Sequence, residues 1–250
     1  MMGSVAQLWR HPIKSHGREA LEAVTLSVGQ CMPLDRHWAV THEASRFDGT
    51  GWVSCQNFMI GARTPGLAGL WARVDEEARR VTLTHRDLGE LTFAPDDPAE
   101  AARFLDWIAP LCPENRARPS AVVSVQGRGM TDSDFPSISV MNLSSHRAVA
   151  QKLGRDIEPE RWRGNIWLDG LGPWEEFEWI GKTIRIGSAS LHVRKRITRC
   201  LHTAANPITG KRDTATLDAL EVGWGHCDFG VYCEVIDGGD IRLGDKSEVL

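Results

Sequence analysis

Short runs of strand-forming residues recur along the chain, and they are not separated by regular helices. "EAVTLSVG" (Glu22–Gly29), "RHWAVTH" (Arg36–His42) and "WARVDE" (Trp71–Glu76) alternate in part and are rich in β-branched or aromatic residues. "RRVTLTHRDLGELTFAP" predicts a hairpin turning at "DLGE", with Val81 and Leu83 on one arm and Leu91 and Phe93 on the other. After residue 120 the strands resume with "AVVSVQ" and "SISVMN". "GKTIRIGSASLHVRKRI" then predicts two strands around Gly187-Ser188, and "GVYCEVIDGGDIRLGD" a final hairpin turning at Gly238-Gly239. The lack of regular βα alternation favours a barrel over a doubly wound parallel sheet. The expectation is a mostly β (α+β) chain built on closed or partly closed barrels with a few short helices.

Two helices are predicted. "DDPAEAARFLDWIAPL" has Asp96 or Asp97 as cap, Pro98 in the first turn, and Ala101, Leu105 and Ile108 on one face. "SSHRAVAQKLG" is capped by Ser144 or Ser145 and stopped by Gly154. The polar, proline-interrupted "CPENRARPS" (Cys112–Ser120) marks a boundary between a first unit, residues 1–112, and a second, residues 120–250.

Composition removes several function classes. With 29 basic and 33 acidic residues the net charge is -4, the wrong sign for a general nucleic-acid binder. No window approaches 18 uninterrupted apolar residues, and "MMGSVAQLWRHPIKS" is not a secretory signal, so a cytoplasmic location without membrane attachment is expected. The six cysteines contain no CxxC pair and are expected to be free thiols in a reducing compartment. Ten tryptophans stand against one tyrosine, which suits core and pocket-wall positions. The P-loop, nucleophile-elbow, zincin and dinucleotide fingerprints are all absent. Cys200 with His202 or His226 has the residue types of a cysteine protease but no local signature of one.

"RITRCLHTAANPITGKRD" (Arg196–Asp213) is the stretch richest in chemistry. From Leu191 to Arg212 there are six Lys/Arg, among them Arg194, Arg196 and Arg199, and no acidic residue. If the strand continues to Cys200, period-2 alternation sets Arg194, Arg196, Thr198 and Cys200 on one face. Guanidinium groups beside the thiol predict a lowered thiol pKa and a grip on phosphate or carboxylate. The competing explanation is a basic edge strand that resists aggregation. Elsewhere, Lys14 and Ser15 in "RHPIKS" offer an ammonium and a hydroxyl after a strand. Arg163 and Asn165 in "ERWRGNIWLDGLGPWEE" can read a flat polar heterocycle, or belong to a loop packed by indoles. His226 and Asp228 precede a strand in "GHCDFGVY".

Together these stretches resemble the MOSC family (molybdenum cofactor sulfurase C-terminal domain) joined to its N-terminal β-barrel partner. "HPIKS" and "LDRHWAV" resemble the partner. "RWRGNIWLDG", "EWIGKTIRIGSASLHV", "RCLHTAANPITGKRD", "FGVYCEV" and "GGDIRLGD" resemble the MOSC half. The resemblance implies a molybdenum cofactor (molybdopterin), with Cys200 as a protein sulfur ligand to the metal, a soft donor suited to that centre. It implies phosphate or pterin contacts from Lys14, Ser15, Arg36, Arg163 and Asn165, and a loop shaped by Thr203 and Asn206. The implied activity is reduction of N-hydroxylated compounds (hydroxylamines, amidoximes, N-hydroxylated bases), with electrons from an external partner protein and Asp228 or His226 as proton donor. Two alternatives stay open: a persulfide carried on Cys200 for metal-sulfur assembly, and a non-catalytic cofactor carrier. The chain departs from the family in reading "HPIKS" for a Tyr-Pro-Val-Lys-Ser pattern and "RGN" for Arg-Pro-Asn. It has no lysine motif for pyridoxal phosphate and no ferredoxin-like cysteine quartet.

Overall fold

The computed structural model describes residues 3–250, and among them the architecture is mostly β with three α-helices. The chain opens with β1 (Ser4–Arg10), turns through residues 11–18, and adds the short β2 (Glu19–Leu21) and β3 (Ala23–Leu26) before β4 (Trp38–His42). A meander follows: β5 (Trp71–Asp75), β6 (Arg80–His85) and β7 (Gly89–Phe93) pair in that order. The β6–β7 hairpin has the expected register, Val81 opposite Phe93 and Leu83 opposite Leu91.

Helix α1 (Pro98–Ile108) begins where Asp97 accepts the amides of Ala99 and Glu100, and Pro98 occupies the first turn. It buries Ala101, Phe104 and Ile108 against the meander, and Phe104 stacks on Phe93 at 4.4 Å between centroids. Phe104, not Leu105, holds the centre of the buried face, because Ala101, Phe104 and Ile108 are spaced three and four residues apart. β8 (Pro119–Ser124) then pairs antiparallel with β4. The strand after the polar segment 112–120 therefore completes the first core instead of starting the second. Its register, Trp38 opposite Ser124 and Val40 opposite Val122, sets Trp38 and Val40 in the same cluster as Leu83, Phe93 and Phe104.

The remaining elements are β9 (Ile138–Asn142), α2 (Leu143–Leu153), β10 (Ile166–Asp169), β11 (Thr183–Ile186), β12 (Ala189–Thr198), α3 (Thr216–Trp224), β13 (Asp228–Asp237), β14 (Gly239–Arg242) and β15 (Ser247–Val249). They build an eight-stranded sheet, curled as a half-barrel, in the order β15-β11-β12-β13-β9-β10-β1-β2. Two of its strands come from the start of the chain: β1 pairs with β10, and β2 with β1. β14 does not fold back on β13 as the sequence predicts. Gly238 turns the chain away and β14 pairs with β3. The two parts of the chain are thus interlocked at β1–β3.

Helix α2 is capped by Asn142, whose side chain accepts the Ser144 amide, two or three residues before the expected cap. Gly154 ends it in the left-handed region as expected (φ 67°). Helix α3 has no side-chain cap and a short amphipathic repeat, so its sequence carries no start signal. Both helices pack on a third cluster around Trp162, Trp167 and Phe229, where Trp162 stacks on Phe229 at 4.0 Å. No helix among the described residues is long and apolar enough to cross a membrane.

Candidate functional site

A cleft of about 390 Å³ lies where the two parts meet. Its wall is assembled from distant pieces: the turn after β1 (Lys14, Ser15), the approach to β4 (Arg36), the segment 55–62, Asp132 and Ser139, the turn before β10 (Arg161–Arg163), the end of β12 with the residues that follow (Lys195–Thr203), and Tyr232 on β13. Seven Lys or Arg line it against one acidic residue, Asp132. Three of its residues, Ser15 (φ 64°), Arg36 (φ 49°) and Arg163 (φ 49°), hold the left-handed backbone region that non-glycine residues rarely adopt. Such conformations survive only where the surroundings over-determine them, and here they gather at one cleft.

Those surroundings are hydrogen bonds. The Lys14 amide donates to Trp38 O (2.8 Å), and the Arg36 amide to His11 O (2.6 Å). The buried Lys14 ammonium donates to Met130 O (2.8 Å) and pairs with Asp132. Arg36 pairs with the buried Asp35 and donates to Arg163 O (2.7 Å). Arg163 Nη1 donates to Gly17 O (3.0 Å), while its Nη2 is buried with no partner. Desolvation pushes the Arg163 guanidinium down to about 9, and the neighbouring Arg36 and Arg18 push the same way. Asp35 is also desolvated, but the Arg36 charge and the hydrogen bonds from His11 together outweigh this and hold its carboxyl well below the usual range. The site is therefore a desolvated cluster of like charges with one guanidinium nitrogen unsatisfied, an arrangement that an anion would stabilise.

Cys200 stands just past the end of β12. It is solvent-exposed and lines the cleft, as does Cys55 from the opposite part of the chain. Its backbone leads into a 3₁₀ turn, Leu201–Ala204, where Thr203 ties back to Cys200 O through its amide (3.2 Å) and hydroxyl (3.1 Å). The Thr203 hydroxyl also meets Thr216 Oγ1 on α3 at 2.6 Å. The thiol pKa is not lowered, as the flanking charges led the sequence to predict, but raised. Desolvation by the cleft wall dominates, and the Asp132 charge adds to it, while the His202 amide and Arg199 oppose it only in part. The thiol is open to probes through the cleft mouth yet has lost much of its bulk hydration.

The expected basic face on β12 is broken by irregular pairing with β13. Register shifts fall between Val193 and Lys195 and again between Arg196 and Thr198. Arg194 is turned out of the cleft, paired with Glu234 and lying over Phe135. Lys195 and Arg196 reach the cleft, and the Arg196 guanidinium lies 4.2 Å from the Phe177 ring centroid. Arg199 lines the cleft but its donors are engaged: Nε to Phe229 O (2.8 Å) and Nη1 to Trp162 O (2.8 Å). It braces the wall that carries Cys200.

Among the other expected site residues, Lys14, Ser15, Arg36, Arg163, Arg196, Arg199, Cys200 and Thr203 are brought together, and Arg194, Asn165, Asn206, Asp228 and His226 do not line the cleft. Asn165 lies behind the wall. Its Oδ1 accepts from the Ser139 amide (3.1 Å) and hydroxyl (2.7 Å), and its Nδ2 donates to Trp9 O (3.1 Å). Asn206 closes the loop after Cys200, accepting the amides of Ile208 and Thr209 and donating to Asp213 (2.9 Å) and Glu158 (3.2 Å). Asp228 accepts the Thr198 hydroxyl at 2.7 Å. The His226 ring sits among Trp174 and Phe177, with Nδ1 accepting the Asp228 amide. Asp228 and His226 do not face the cleft; the titratable side chains that do, besides its cations and thiols, are Tyr232, Asp132 and His202.

Tyr232 and Asp132, like Cys55, carried no recognisable signal in the sequence, because each lies far along the chain from its neighbours in the wall, whereas His202 lies two residues from Cys200. Two glycines show how closely the wall is fitted. A Cβ on Gly61 would enter the His202 ring, and one on Gly164 would come within 2.8 Å of Met141 Cε. The second contact means that a larger residue at 164 would require the Met141 side chain to shift.

The chain matches the MOSC domain over residues 129–248 and the MOSC N-terminal beta barrel domain over residues 2–109. It is 24% identical over 289 residues to mitochondrial amidoxime-reducing component 1 of Mus musculus, covering 100% of this chain and 83% of that protein. Among solved structures it is similar to the YUAD protein from Bacillus subtilis, with TM-score 0.51, 14% identity, and 100% and 96% of the two chains covered. YiiM from Geobacillus stearothermophilus matches 45% of the chain and 53% of its own length, with TM-score 0.35 and 19% identity.

Proposed function

Because the chain belongs to the MOSC domain family and carries that family's N-terminal barrel, we propose that it binds a molybdenum cofactor in the cleft and reduces N-hydroxylated compounds with electrons from an external donor protein. The observation that carries this reading is an accessible thiol, Cys200, in a cleft lined by seven cationic residues. The mouse relative bears the name of an amidoxime-reducing component, which supports the substrate class.

The donor set fits a phosphorylated, metal-bearing pterin. Lys14, Ser15 and Arg36 offer an ammonium, a hydroxyl and a guanidinium to a phosphate. Arg163 Nη2, buried without a partner, is the donor most in need of an acceptor. Cys200 supplies the soft sulfur. Its raised pKa is no obstacle to ligation, since a bound metal ion deprotonates a coordinating thiol outright. The same raised pKa counts against the persulfide-carrier alternative, which depends on thiolate at neutral pH.

When bound, the cofactor supplies the two-electron oxygen-atom chemistry. The net reaction consumes two electrons and two protons and converts R–NHOH to R–NH2 and water. The chain holds the substrate in a confined, cation-lined cleft and limits its water. Tyr232 keeps its phenolic proton at neutral pH, because desolvation above all raises its pKa. It thus presents an O–H donor to the N–O oxygen. Asp132 is ionised, its carboxyl held down by Lys14 against the desolvation that raises it, and is therefore not a proton donor at neutral pH.

The test is metal and pterin analysis of the full chain expressed in a cofactor-producing host, with benzamidoxime turnover on a chemical electron donor. Molybdenum near one per chain and turnover in the wild type, with turnover abolished in a folded Cys200→Ser, is the expected result. Sulfane sulfur without metal, or wild-type turnover in Cys200→Ser, overturns it.

A further inference from the structure

Among the described residues Asp132 is the one acidic side chain in the wall of a cleft lined by seven cations, and it is placed on Lys14, a buried one. Lys14 is 4% exposed. Among the described residues its ammonium has two acceptors, Asp132 and Met130 O. The Asp132 side chain, in contrast, is 59% exposed. A buried ammonium is thus covered by a carboxylate that is free on its other side.

The backbone beneath that carboxylate is fixed. Met130 N donates to Arg36 O (2.7 Å), Thr131 O accepts from Trp52 Nε1 (2.8 Å), and Ser133 O accepts from Arg128 (2.7 Å). Thr131 and Ser133 on either side are buried. Only the Asp132 side chain can move without disturbing the loop, so a ligand that reaches Lys14 must either share the ammonium with this carboxylate or turn it aside.

We propose that Asp132 determines which anions the cleft accepts: it occupies the anion position at Lys14 and yields it only to a ligand with enough negative charge to compete, a phosphate ester or diphosphate, while monoanions such as chloride and acetate are kept out. This rests on the reading of the cleft as a phosphate-bearing cofactor site and names the residue that sets its selectivity. The physical basis is that a carboxylate on a fixed loop is present at very high effective concentration, so a free monoanion gains little by replacing it. A dianion that simultaneously meets Arg36 and Arg163 gains charge-assisted hydrogen bonds which Asp132 does not make.

The experiment uses full-length, cofactor-free protein and inorganic pyrophosphate as probe, titrated calorimetrically at fixed ionic strength. Asp132→Asn should tighten pyrophosphate binding by roughly two- to fivefold, the scale of one partly exposed ion pair. It should also let acetate compete where it does not compete in the wild type. Lys14→Met added to Asp132→Asn should remove the gain, and Asp132→Glu should behave as wild type. If Asp132→Asn does not fold, Asp132→Ser makes the same comparison. Unchanged or weaker pyrophosphate binding in a folded Asp132→Asn, or a gain that survives Lys14→Met, overturns the proposal while leaving the cofactor site intact. Absence of pyrophosphate binding in both wild type and variant overturns the phosphate-site reading itself.

Discussion

Gly61→Ala tests the fitted wall directly. Gly61 has no side chain because the His202 ring fills the space. A Cβ built there falls inside contact distance of ring atoms Nδ1 and Cε1 and 3.0 Å from Cγ. The Gly61 backbone is not in the left-handed region, so alanine is acceptable to the chain itself and the penalty is steric. His202 is 9% exposed, leaving little room for the ring to rotate aside. Overpacking by a methyl group typically costs about 1–3 kcal/mol, and overlap with several atoms of one ring places this case near the upper figure. For a chain of this size that predicts a fall in Tm of about 6–12 °C. Because the His202 amide bonds the Cys200 sulfur and favours its thiolate, the displaced turn should also slow the alkylation of Cys200 by iodoacetamide. Thermal melts and alkylation rates on the wild type, Gly61→Ala, His202→Ala and the double variant give a complete cycle. Removing the ring should relieve the clash, so the double variant should be more stable than the sum of the two single losses by about 2 kcal/mol. A Gly61→Ala protein that melts with the wild type and shows no coupling to His202→Ala would falsify the steric account.

Acid should destabilise the protein before carboxylates begin to titrate. Burial lowers His16 and His146 to about 4 and His202 to about 3, and holds His11 well below its ordinary 6.5. The unfolded chain binds these protons below pH about 6.5 and the folded chain does not, so stability must fall as pH drops from 6.5 toward 4. Urea midpoints at pH 7, 5.5 and 4.5 measure this, and a flat profile contradicts it. In native protein, iodoacetamide followed by peptide mapping should label Cys55 and Cys200, which are exposed, and spare Cys112 and Cys233, which are buried and whose pKa values burial raises. Labelling of Cys233 without unfolding contradicts the packing described for β13.

The sequence revealed local order better than partnership. The β6–β7 hairpin, α1 with its Asp97 cap, and the Gly154 stop on α2 follow from spacing and turn chemistry within a dozen residues. The partners of β8 and β14 did not follow, because pairing with β4 and β3 joins strands far apart in sequence and leaves no local trace. The same division holds in the cleft. Lys14, Ser15, Arg36, Arg163 and Cys200 lie in family-like motifs and do line it. Arg194 is lost from it because β12 is irregular where alternation assumed a regular strand. Asp132, Tyr232 and Cys55 enter it only once the fold brings separate segments together. The direction of the Cys200 shift was misjudged because counting neighbouring charges ignores desolvation, and here desolvation is the larger effect.

The position of β13 has a consequence for biosynthesis. It lies between β12 and β9 in the eight-stranded sheet, so without it that sheet divides into β15-β11-β12 on one side and β9-β10-β1-β2 on the other. Cys200 follows the first group, whereas Lys14 and Arg163 are attached to the second. A nascent chain therefore keeps its thiol and its cations on unjoined fragments until β13 has emerged from the ribosome and paired with β12 and β9.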